Sequence, residues 1–409
     1  MHTVIVGAGI AGLITAERLA SIGNRVTILE KYDYAGGRIL TSKNGYEIGA
    51  GRGHRSHRRL AALIRRFHLH TVAHDPRILW MSRHSGGPPE ISYGEELLET
   101  MLTELRFLNK QELGRNTIRD LLRGDREPAA YVLEQYPYRA ETEVLRADLA
   151  LESFANEMGT RKGFFSVVEG LSAIVRGLTA ALEARGVRFR YNTEVTDVTR
   201  DGADYLVHRH NGDPIACDRV ILALHADALR SLPVTRRMRA LRFLQTAPLL
   251  RIYAKYPQLD WLPTHRVVTD SPLRYIIPIS REKGIVMISY TDDRDTEYWT
   301  DLRPDLLPGV IHEETKRLFP DAVKPNWVKP YEWTTGCTYW KPGDYIPSVE
   351  SKRALRPFPV TMPELYCCGE SFSLRQAWIE GALEHADELW TLLSGPLATA
   401  TSGLINDRR

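Results

Sequence analysis

The first thirty residues combine a short apolar run, a helical pattern and a second apolar run. Residues 2–8 are apolar and rich in β-branched side chains, which is typical of a strand buried in a parallel sheet. Apolar residues at helical spacing follow over residues 13–20, and Gly23 ends that pattern. Residues 25–30 form the second apolar run, which ends in an acid. The pattern predicts a strand–helix–strand unit of an α/β fold with a parallel sheet.

The turn between the first strand and the helix carries the glycine motif GAGIAG. Gly7 allows a tight turn, Gly9 lets the backbone approach a pyrophosphate, and Gly12 lets the helix pack on the strand. The N-terminus of the helix then faces the phosphate charge. Glu30, at the end of the second strand, is placed to accept hydrogen bonds from an adenosine ribose. These residues predict a dinucleotide-binding site without specifying the dinucleotide.

Two more glycine-rich segments follow, and they bear on which dinucleotide is bound. Arg38, directly after Gly37, can add charge-assisted hydrogen bonds to the same pyrophosphate. Residues 46–52, which end in Gly51 and Arg52, let the chain pass close to a flat ring. The fingerprint, the acid, the Gly-Gly-Arg turn and the Gly-Ala segment together resemble the flavin-dependent amine oxidase superfamily. That superfamily includes monoamine and polyamine oxidases, protoporphyrinogen oxidase and phytoene desaturase-like enzymes, and the resemblance implies FAD as the cofactor.

The resemblance continues in the middle of the chain. Residues 163–174 are similar to the family segment that leads into a helix, here predicted over residues 171–185. Residues 187–198 alternate like a strand, and the family position that matches Val195 gives backbone hydrogen bonds to the adenine. Further strands are expected over residues 205–210 and 219–224.

A third matching block lies near the C-terminus. Residues 365–370 form an apolar strand that ends in Gly369 and Glu370, and a last helix is predicted from Trp378 to residue 393. The resemblance implies that Glu370 contacts the ribityl-pyrophosphate side of the flavin. It also implies that the backbone near Ile379 faces the flavin O2.

These blocks predict a discontinuous, two-domain organisation. The fold class is α/β, with a Rossmann-like FAD-binding domain of the GR2 type and an α+β substrate-binding domain. The FAD-binding domain takes residues 1–75, 160–235 and 345–395, the substrate-binding domain takes residues 76–159 and 236–344, and residues 396–409 are a tail. Leucine spacing predicts that the first insertion is helical, whereas the pattern of residues 236–344 predicts both strands and a helix.

Composition excludes several other classes of protein. A chain of 409 residues with 43% hydrophobic and 26% charged residues suggests two globular domains. The formal charge of +3 is too even to argue for nucleic-acid binding. Four cysteines, two of them the adjacent Cys367 and Cys368, argue against a disulfide framework and for a reducing compartment. Since no stretch of about 18 residues is both free of charge and predominantly apolar, no spanning helix is expected and the protein is predicted to be cytoplasmic.

A basic stretch runs from Arg52 to Arg66. Its apolar residues lie at helical spacing, so most of its arginines fall on the opposite face, which is either simply solvated or meets an anionic partner. No cysteine or acid nearby completes a ligand set with its histidines, so no metal site is expected. Arg52 and His54 follow the Gly-Ala segment directly, where positive charge at the pyrimidine end of the flavin would stabilise its reduced, anionic form.

Residues 333–343 are rich in aromatic side chains. Their position matches the family segment that supplies one wall of an aromatic cage over the flavin, with Tyr339 and Trp340 as candidates, and Trp378 matches the other wall. Two parallel aromatic faces would hold an amine over the flavin and exclude water. Packing in the core is the alternative for all three residues. Cys337 lies near the place where some relatives attach flavin covalently, but its spacing to the following Pro-Gly differs, so non-covalent FAD is expected.

One departure from the family pattern bears on function. Many amine-oxidising relatives place a lysine, which holds a water at flavin N5, soon after the strand that matches residues 220–224, whereas this chain has no lysine between that strand and Lys255. The resemblance implies that an amine is oxidised by hydride transfer to flavin N5, with reoxidation by O2. The missing lysine keeps two alternatives open: a desaturase or ring-oxidising enzyme for an apolar substrate, and a flavoprotein that has lost catalysis and serves a binding or structural role.

Overall fold

In the computed structural model, a five-stranded sheet is built from three stretches that lie far apart in the chain. The structure describes residues 1–84, 90–92, 103, 105, 107–122, 133–158 and 162–395. The strands of this sheet are β1 (His2–Val6), β2 (Arg25–Leu29), β8 (Arg188–Arg190), β12 (Arg219–Leu222) and β18 (Leu365–Cys367). Their order is β18-β12-β1-β2-β8, and all neighbouring strands are parallel. The predicted α/β fold with a parallel sheet is confirmed.

Helices cover one face of this sheet and bury an apolar core. The helix Ile10–Ser21 packs against the helices Ser172–Ala184 and Ile379–Ser394. Leu13 and Leu389 are fully buried in this layer, since apolar residues at helical spacing share one face. The packing places the N-terminus of the first helix at the carboxyl end of β1, the edge at which parallel sheets bind ligands.

A three-stranded antiparallel sheet packs on the other face, and it corrects one prediction. Its strands are β9 (Val195–Asp201), β10 (Asp204–Arg209) and β11 (Ile215–Cys217). The prediction of a single strand over residues 187–198 is wrong, because β8 ends at Arg190 and β9 begins in a different sheet. Asn192 lies between them with a φ of +50°, a conformation that asparagine tolerates better than most residues, and the chain turns there.

The second large sheet has seven strands. They are β5 (Ile78–Met81), β6 (Glu90–Ser92), β13 (Leu244–Lys255), β14 (Arg266–Thr269), β15 (Tyr275–Ser280), β16 (Ile285–Asp292) and β17 (Trp327–Trp340), in the order β17-β13-β16-β15-β14-β5-β6. Strand β13 pairs antiparallel with both β16 and β17. The β13–β17 register shifts between Ala247 and Leu249, because Pro248 between them has no N–H to donate.

The described part of the first insertion contains two strands besides the helices that its leucine spacing predicts. Ile78 and Trp80 alternate inward, so β5 and β6 extend the seven-stranded sheet. Short helices then pack beside it at Lys110–Arg115, Ile118–Leu121, Arg139–Glu143 and Ala147–Ser153. The predicted apolar positions Leu97, Leu98, Met101 and Leu102 lie outside the described residues, as does the tail 396–409.

The other described elements include one small sheet and five more α-helices. A small sheet joins β3 (Gly53–His54), β7 (Phe164–Val167) and β4 (Thr71–Ala73). The remaining α-helices are Arg58–Arg66, Ala226–Ser231, Glu297–Thr300, Leu307–Leu318 and Pro347–Ala354. In the described part of the chain no helix is both long and apolar enough to cross a membrane.

Candidate active site

A cavity of about 970 Å³ is lined by residues of the parallel sheet and of the seven-stranded sheet. Eleven of the predicted cofactor-binding residues line it: Gly7, Gly9, Glu30, Gly37, Arg38, Gly51, Arg52, Val195, Gly369, Glu370 and Ile379. Trp378 and Tyr339 line it as well, whereas Gly12 and Trp340 do not. The fold therefore brings together residues from five separated parts of the sequence.

The glycine turn at one end of the cavity uses each glycine differently. Gly7 has a φ of +103°, and a Cβ there would lie 2.5 Å from the carbonyl oxygen of Ala223. A Cβ on Gly12 would lie 2.1 Å from the carbonyl oxygen of Gly7, so this glycine permits the helix to pack on the turn. A Cβ on Gly9 would meet nothing within 4 Å and would project into open space. Of these three glycines, only Gly9 therefore borders open space on its Cβ side, and that space is available to a ligand.

Glu30 lies at the neighbouring end of the cavity with its carboxylate held by backbone groups. Its Oε2 accepts a hydrogen bond from the N–H of Ala8 at 2.8 Å, and its Oε1 accepts one from the N–H of Tyr32 at 3.0 Å. Val195 lines the same end of the cavity, beside a Lys31–Glu194 ion pair of 2.9 Å. These bonds hold the carboxylate in one orientation beside the glycine turn.

Arg38 and Glu370 form an ion pair across the middle of the cavity. Nη2 of Arg38 donates to Oε2 of Glu370 at 2.7 Å, and its Nη1 donates to the carbonyl oxygen of Gly336 at 2.9 Å. Oε1 of Glu370 accepts from the N–H of Ala377 at 2.6 Å. The pair links the Gly-Gly-Arg turn to the C-terminal Gly-Glu block, so the two predicted cofactor-binding residues also position each other.

The far end of the cavity combines aromatic rings with a guanidinium group. The guanidinium carbon of Arg52 lies 4.5 Å from the ring centre of Phe164 and 5.5 Å from that of Trp378. The Trp378 ring stacks on Phe164 at 5.9 Å and meets the edge of His57 at 4.9 Å. A cation over aromatic faces is attracted to their negative quadrupoles, which helps to hold Arg52 in this position.

Tyr339 and Trp340 point to opposite sides of β17, and this corrects one of the predicted cage residues. Tyr339 lines the cavity, as do Cys337 and Trp333 on the same face of the strand. Trp340 is fully buried in the core, where its indole N–H donates to the carbonyl oxygen of Ser373 at 2.9 Å. Neighbouring residues of a strand alternate between its faces, so only one of the two can face the cavity.

His54 also departs from its predicted position. It does not line the cavity, and its ring nitrogens bind Ser56 Oγ and the carbonyl oxygen of Lys162, both at 2.9 Å. Burial lowers the pKa of His54, so the ring is neutral at pH 7. Positive charge at this end of the cavity is therefore supplied by Arg52 and not by His54.

The residues that sequence reasoning missed lie in the two insertions. They are Tyr138, Glu141, Arg251, Tyr290 and Asp292. Arg251 is the only charged residue between positions 244 and 254, and a charged residue inside an apolar strand was the available signal. The others carried no such signal, because the alternation and spacing around them are those of ordinary core segments.

Arg251 is buried with one hydrogen-bonding group unused. Its Nη1 donates to the carbonyl oxygen of Glu47 at 3.0 Å, and its guanidinium packs on the backbone of Gly51. Its Nε has no partner among the described residues. Leu249, two residues before Arg251, lies on the same face of β13 and also lines the cavity. Among the described residues, the only lysine in the cavity lining is Lys31, which lies at the opposite end. The cation on the cavity side of β13 is thus an arginine.

Two of the six arginines in the basic stretch pair with acids of the same chain. Arg59 contacts Glu380, Glu384 and Asp387 on the last helix. Arg66 donates both terminal nitrogens to Glu17. An anionic partner for the rest of residues 52–66 stays a prediction.

The family profile described as flavin containing amine oxidoreductase matches residues 10–388. The chain belongs to the flavin-containing amine oxidoreductase family. An L-amino-acid oxidase of Mus musculus is 26% identical over 93% of this chain and 69% of its own length. An L-amino acid oxidase of Lachesis muta is 24% identical over 94% of this chain and 85% of its own length. A solved structure of wild-type putrescine oxidase bound to putrescine has a TM-score of 0.75 at 16% identity, covering 97% and 100% of the two chains, which shows the shared fold.

This family member is an FAD-dependent oxidoreductase, and its cavity fits the cofactor. The open space at Gly9 and the free N-terminus of the helix Ile10–Ser21 suit a pyrophosphate. The fixed carboxylate of Glu30 suits a ribose, and the bare backbone at Gly51 borders the space beside Arg52. Glu30, Gly9 and Arg38 would hold the nucleotide half of FAD, and the segment at Gly51 would border its ring.

We expect Arg38→Gln to weaken FAD binding. The substitution removes a charge-assisted hydrogen bond worth about 1.5–3 kcal/mol and leaves the buried Glu370 carboxylate without its cation. Titration of the apoprotein with FAD measures the change in Kd, and Arg18→Gln is the control, because Arg18 also pairs with a carboxylate, Asp387, but lies outside the cavity lining. Equal FAD affinity in both variants would remove Arg38 from the cofactor site.

Proposed function

We propose that this flavoenzyme oxidises an α-amino acid and binds its carboxylate with Arg52 and Arg251. The observation that carries the proposal is that two guanidinium groups line the same end of the cavity as Trp378 and Tyr339. Arg251 is buried and its Nη1 bonds a backbone carbonyl oxygen rather than a carboxylate, and a buried cation is stabilised by an anionic ligand. The relatives from Mus musculus and Lachesis muta are named L-amino-acid oxidases, which supports the same substrate class.

The residues of the cavity would act mainly by binding and orientation. Arg52 and Arg251 bind the carboxylate and so fix the position of the adjacent carbon, which bears the amine. The rings of Tyr339 and Trp378 border the bound substrate and exclude water from it. Bound FAD would supply the oxidising chemistry, that is, acceptance of a hydride from that carbon with O2 as the final electron acceptor. The imine product is then hydrolysed by water.

A diamine is the second candidate substrate. Glu141 and Asp292 also line the cavity, and a carboxylate is the natural partner of a second ammonium group. The putrescine-bound structure with the same fold makes this comparison worth testing. An apolar substrate is disfavoured, because it would displace water from polar side chains and offer them no polar group in return. These side chains are Arg52, Glu141, Arg251 and Asp292.

Anaerobic mixing of the holoprotein with separate panels of amino acids, monoamines and diamines tests the proposal. Bleaching of the flavin absorbance by amino acids, and slower or no bleaching by amines that lack a carboxylate, is expected. Reduction by diamines alone would move the assignment to the second candidate. Absence of reduction by every panel would leave the desaturase and non-catalytic alternatives.

We expect Arg52→Gln to lower kcat/KM for amino acids by about 10- to 150-fold, the equivalent of about 1.5–3 kcal/mol. The loss arises because the carboxylate loses a charge-assisted bond, so reduction by an amine without a carboxylate should change little. Arg55→Gln is the control, since Arg55 is exposed in the same segment and lies outside the cavity lining. An equal loss for amino acids and simple amines would contradict the assigned role.

A further inference from the structure

Glu141 is a buried carboxyl group that faces the same cavity as Arg52. It lies on the short helix Arg139–Glu143 and is 9% exposed. The hydroxyl of Tyr136 donates a hydrogen bond to its Oε2. Arg52 acts on Glu141 electrostatically, and Glu141 acts on Arg52 in turn. The cavity lining therefore holds a carboxyl group whose pKa is lowered by the charge of Arg52, the guanidinium that we assign to the substrate carboxylate.

The ionisable groups around Glu141 have opposing effects on its proton. Burial raises its pKa to about 7, and the Tyr136 hydroxyl and the Arg52 guanidinium both lower it from the value that burial alone would produce. The charge of Glu157 raises it. The ionisable groups of the surrounding elements that interact electrostatically with Glu141 are Tyr136, Tyr138, Arg52, Glu157, Asp292 and Tyr339. Arg52 is the only cation in this set.

We propose that Glu141 accepts the proton of the substrate ammonium when the substrate carboxylate pairs with Arg52; this rests on the proposed function. An amino acid enters as a zwitterion, and its carboxylate takes the place of Glu141 as the counter-charge of Arg52. Glu141 then binds a proton more tightly, because the cation that favoured its ionised form is neutralised. The ammonium N–H bond breaks, the proton moves to the Glu141 carboxylate, and the substrate is left with a neutral amine.

The exchange conserves charge within the cavity. Before the proton moves, the site holds the cation Arg52, the ionised carboxylate of Glu141 and the zwitterionic substrate. After the proton has moved, Arg52 pairs with the substrate carboxylate, and both Glu141 and the substrate amine are neutral. A neutral amine has the lone pair that assists loss of hydride from the adjacent carbon. The proton leaves Glu141 for water once the product has left, and Arg52 again lowers the pKa of the carboxyl group.

Asp292 is a second acid that lines the cavity near Glu141, and its hydrogen bond suits it less well to the role of proton acceptor. Its Oδ1 accepts from the N–H of Ala140 at 3.2 Å, so it holds the start of the helix that carries Glu141. Burial raises the pKa of Asp292 well above its usual range. Asp292 therefore holds the helix in place, and Glu141 is the acid that we assign to the exchange.

The pH profile of kcat/KM tests the role of Glu141 in the holoenzyme. In the wild type, kcat/KM should fall tenfold per pH unit below about pH 7, because only the ionised carboxylate can accept the proton. This fall is the acid limb of the pH profile, and in Glu141→Gln it should no longer lie near pH 7. The kcat/KM of that variant should instead keep rising with pH until the substrate amine loses its own proton. Tyr136→Phe should move the limb to higher pH, since it removes a hydrogen bond to the carboxylate.

Glu143→Gln is the matched control on the same helix. Glu143 pairs with Arg139 at 3.2 Å and Arg294 at 3.0 Å, and it does not line the cavity. It should keep the wild-type limb near pH 7. Glu141→Asp should restore part of the limb that Glu141→Gln loses, which separates loss of the carboxylate from a folding defect.

Binding of benzoate, a carboxylate that cannot be oxidised, gives a readout that does not depend on turnover. At about pH 8 the wild type should take up close to one proton for each benzoate bound, and Glu141→Gln should bind benzoate without that uptake. Equal uptake by both proteins, or an unchanged acid limb in Glu141→Gln, would overturn the proposal while leaving amino-acid oxidation intact. If no amino acid reduces the flavin and benzoate does not bind, the proposed function fails instead.

Discussion

Gly9→Val should yield a folded protein that no longer retains FAD. The backbone of Gly9 is extended, with φ of −68° and ψ of 170°, so a β-branched residue adopts it without strain. A side chain there meets no protein atom and instead fills the space in which the pyrophosphate must lie. The ratio of flavin to protein absorbance tests the loss of FAD, and the melting temperature of the apoprotein tests whether the variant is folded.

Two other glycines provide the controls for Gly9→Val. Gly309 lies on the helix Leu307–Leu318 with open space around it and outside the cavity lining, so Gly309→Val should keep FAD. Gly12→Ala should instead lower the melting temperature, because its Cβ would lie 2.1 Å from the carbonyl oxygen of Gly7. Stoichiometric FAD in Gly9→Val would contradict the placement of the pyrophosphate at this turn.

Trp340→Ala should lower the free energy of unfolding by about 3–5 kcal/mol. Trp340 is fully buried and its indole N–H is bonded to Ser373, so the substitution leaves a cavity and an unpaired carbonyl group. Denaturant unfolding measures the loss. Flavin reduction by substrate in the folded fraction should change little, since the side chain points away from the cavity.

Trp378→Ala is the matched substitution on the cavity side. Trp378 is half-buried and lines the cavity, so its loss should cost less stability but slow reduction of the flavin by about a hundredfold through poor orientation of the substrate. Anaerobic flavin reduction and thermal melts are compared for both tryptophan variants. A Trp378→Ala protein that melts far below the wild type yet reduces its flavin normally would remove Trp378 from the site.

The nucleotide end of the cavity was predictable because its residues act close to one another in the chain. Gly7, Gly9 and Gly12 occupy one turn and the helix that follows it, and Glu30 ends the next strand. A tight turn, a close backbone approach and helix packing each require the absence of a side chain, so the sequence alone identifies these positions. Local pattern gave a wrong prediction around Asn192. The alternation of residues 187–198 predicted one strand, but a left-handed residue at Asn192 separates two strands there.

The substrate end depended on contacts between distant segments, which no local pattern encodes. Sequence placed Tyr339 and Trp340 together, but the pairing of β17 with β13 decided that Tyr339 faces the cavity and Trp340 the core. Arg38 and Glu370 are 332 positions apart, and their ion pair exists only because two strands of the parallel sheet bring both turns to one edge.

The sequence by itself therefore determined the α/β class and the glycine motif of a dinucleotide-binding turn, since these follow from local steric requirements, and its resemblance to a known family pointed to FAD. Only the tertiary structure placed Arg251 and Glu141 opposite the Gly-Ala segment, because each lies on an insertion whose packing sets its partners. Burial and neighbouring charge then decide what such side chains can do. A carboxyl group on an ordinary helix becomes a proton acceptor only when folding removes it from water and sets it beside Arg52.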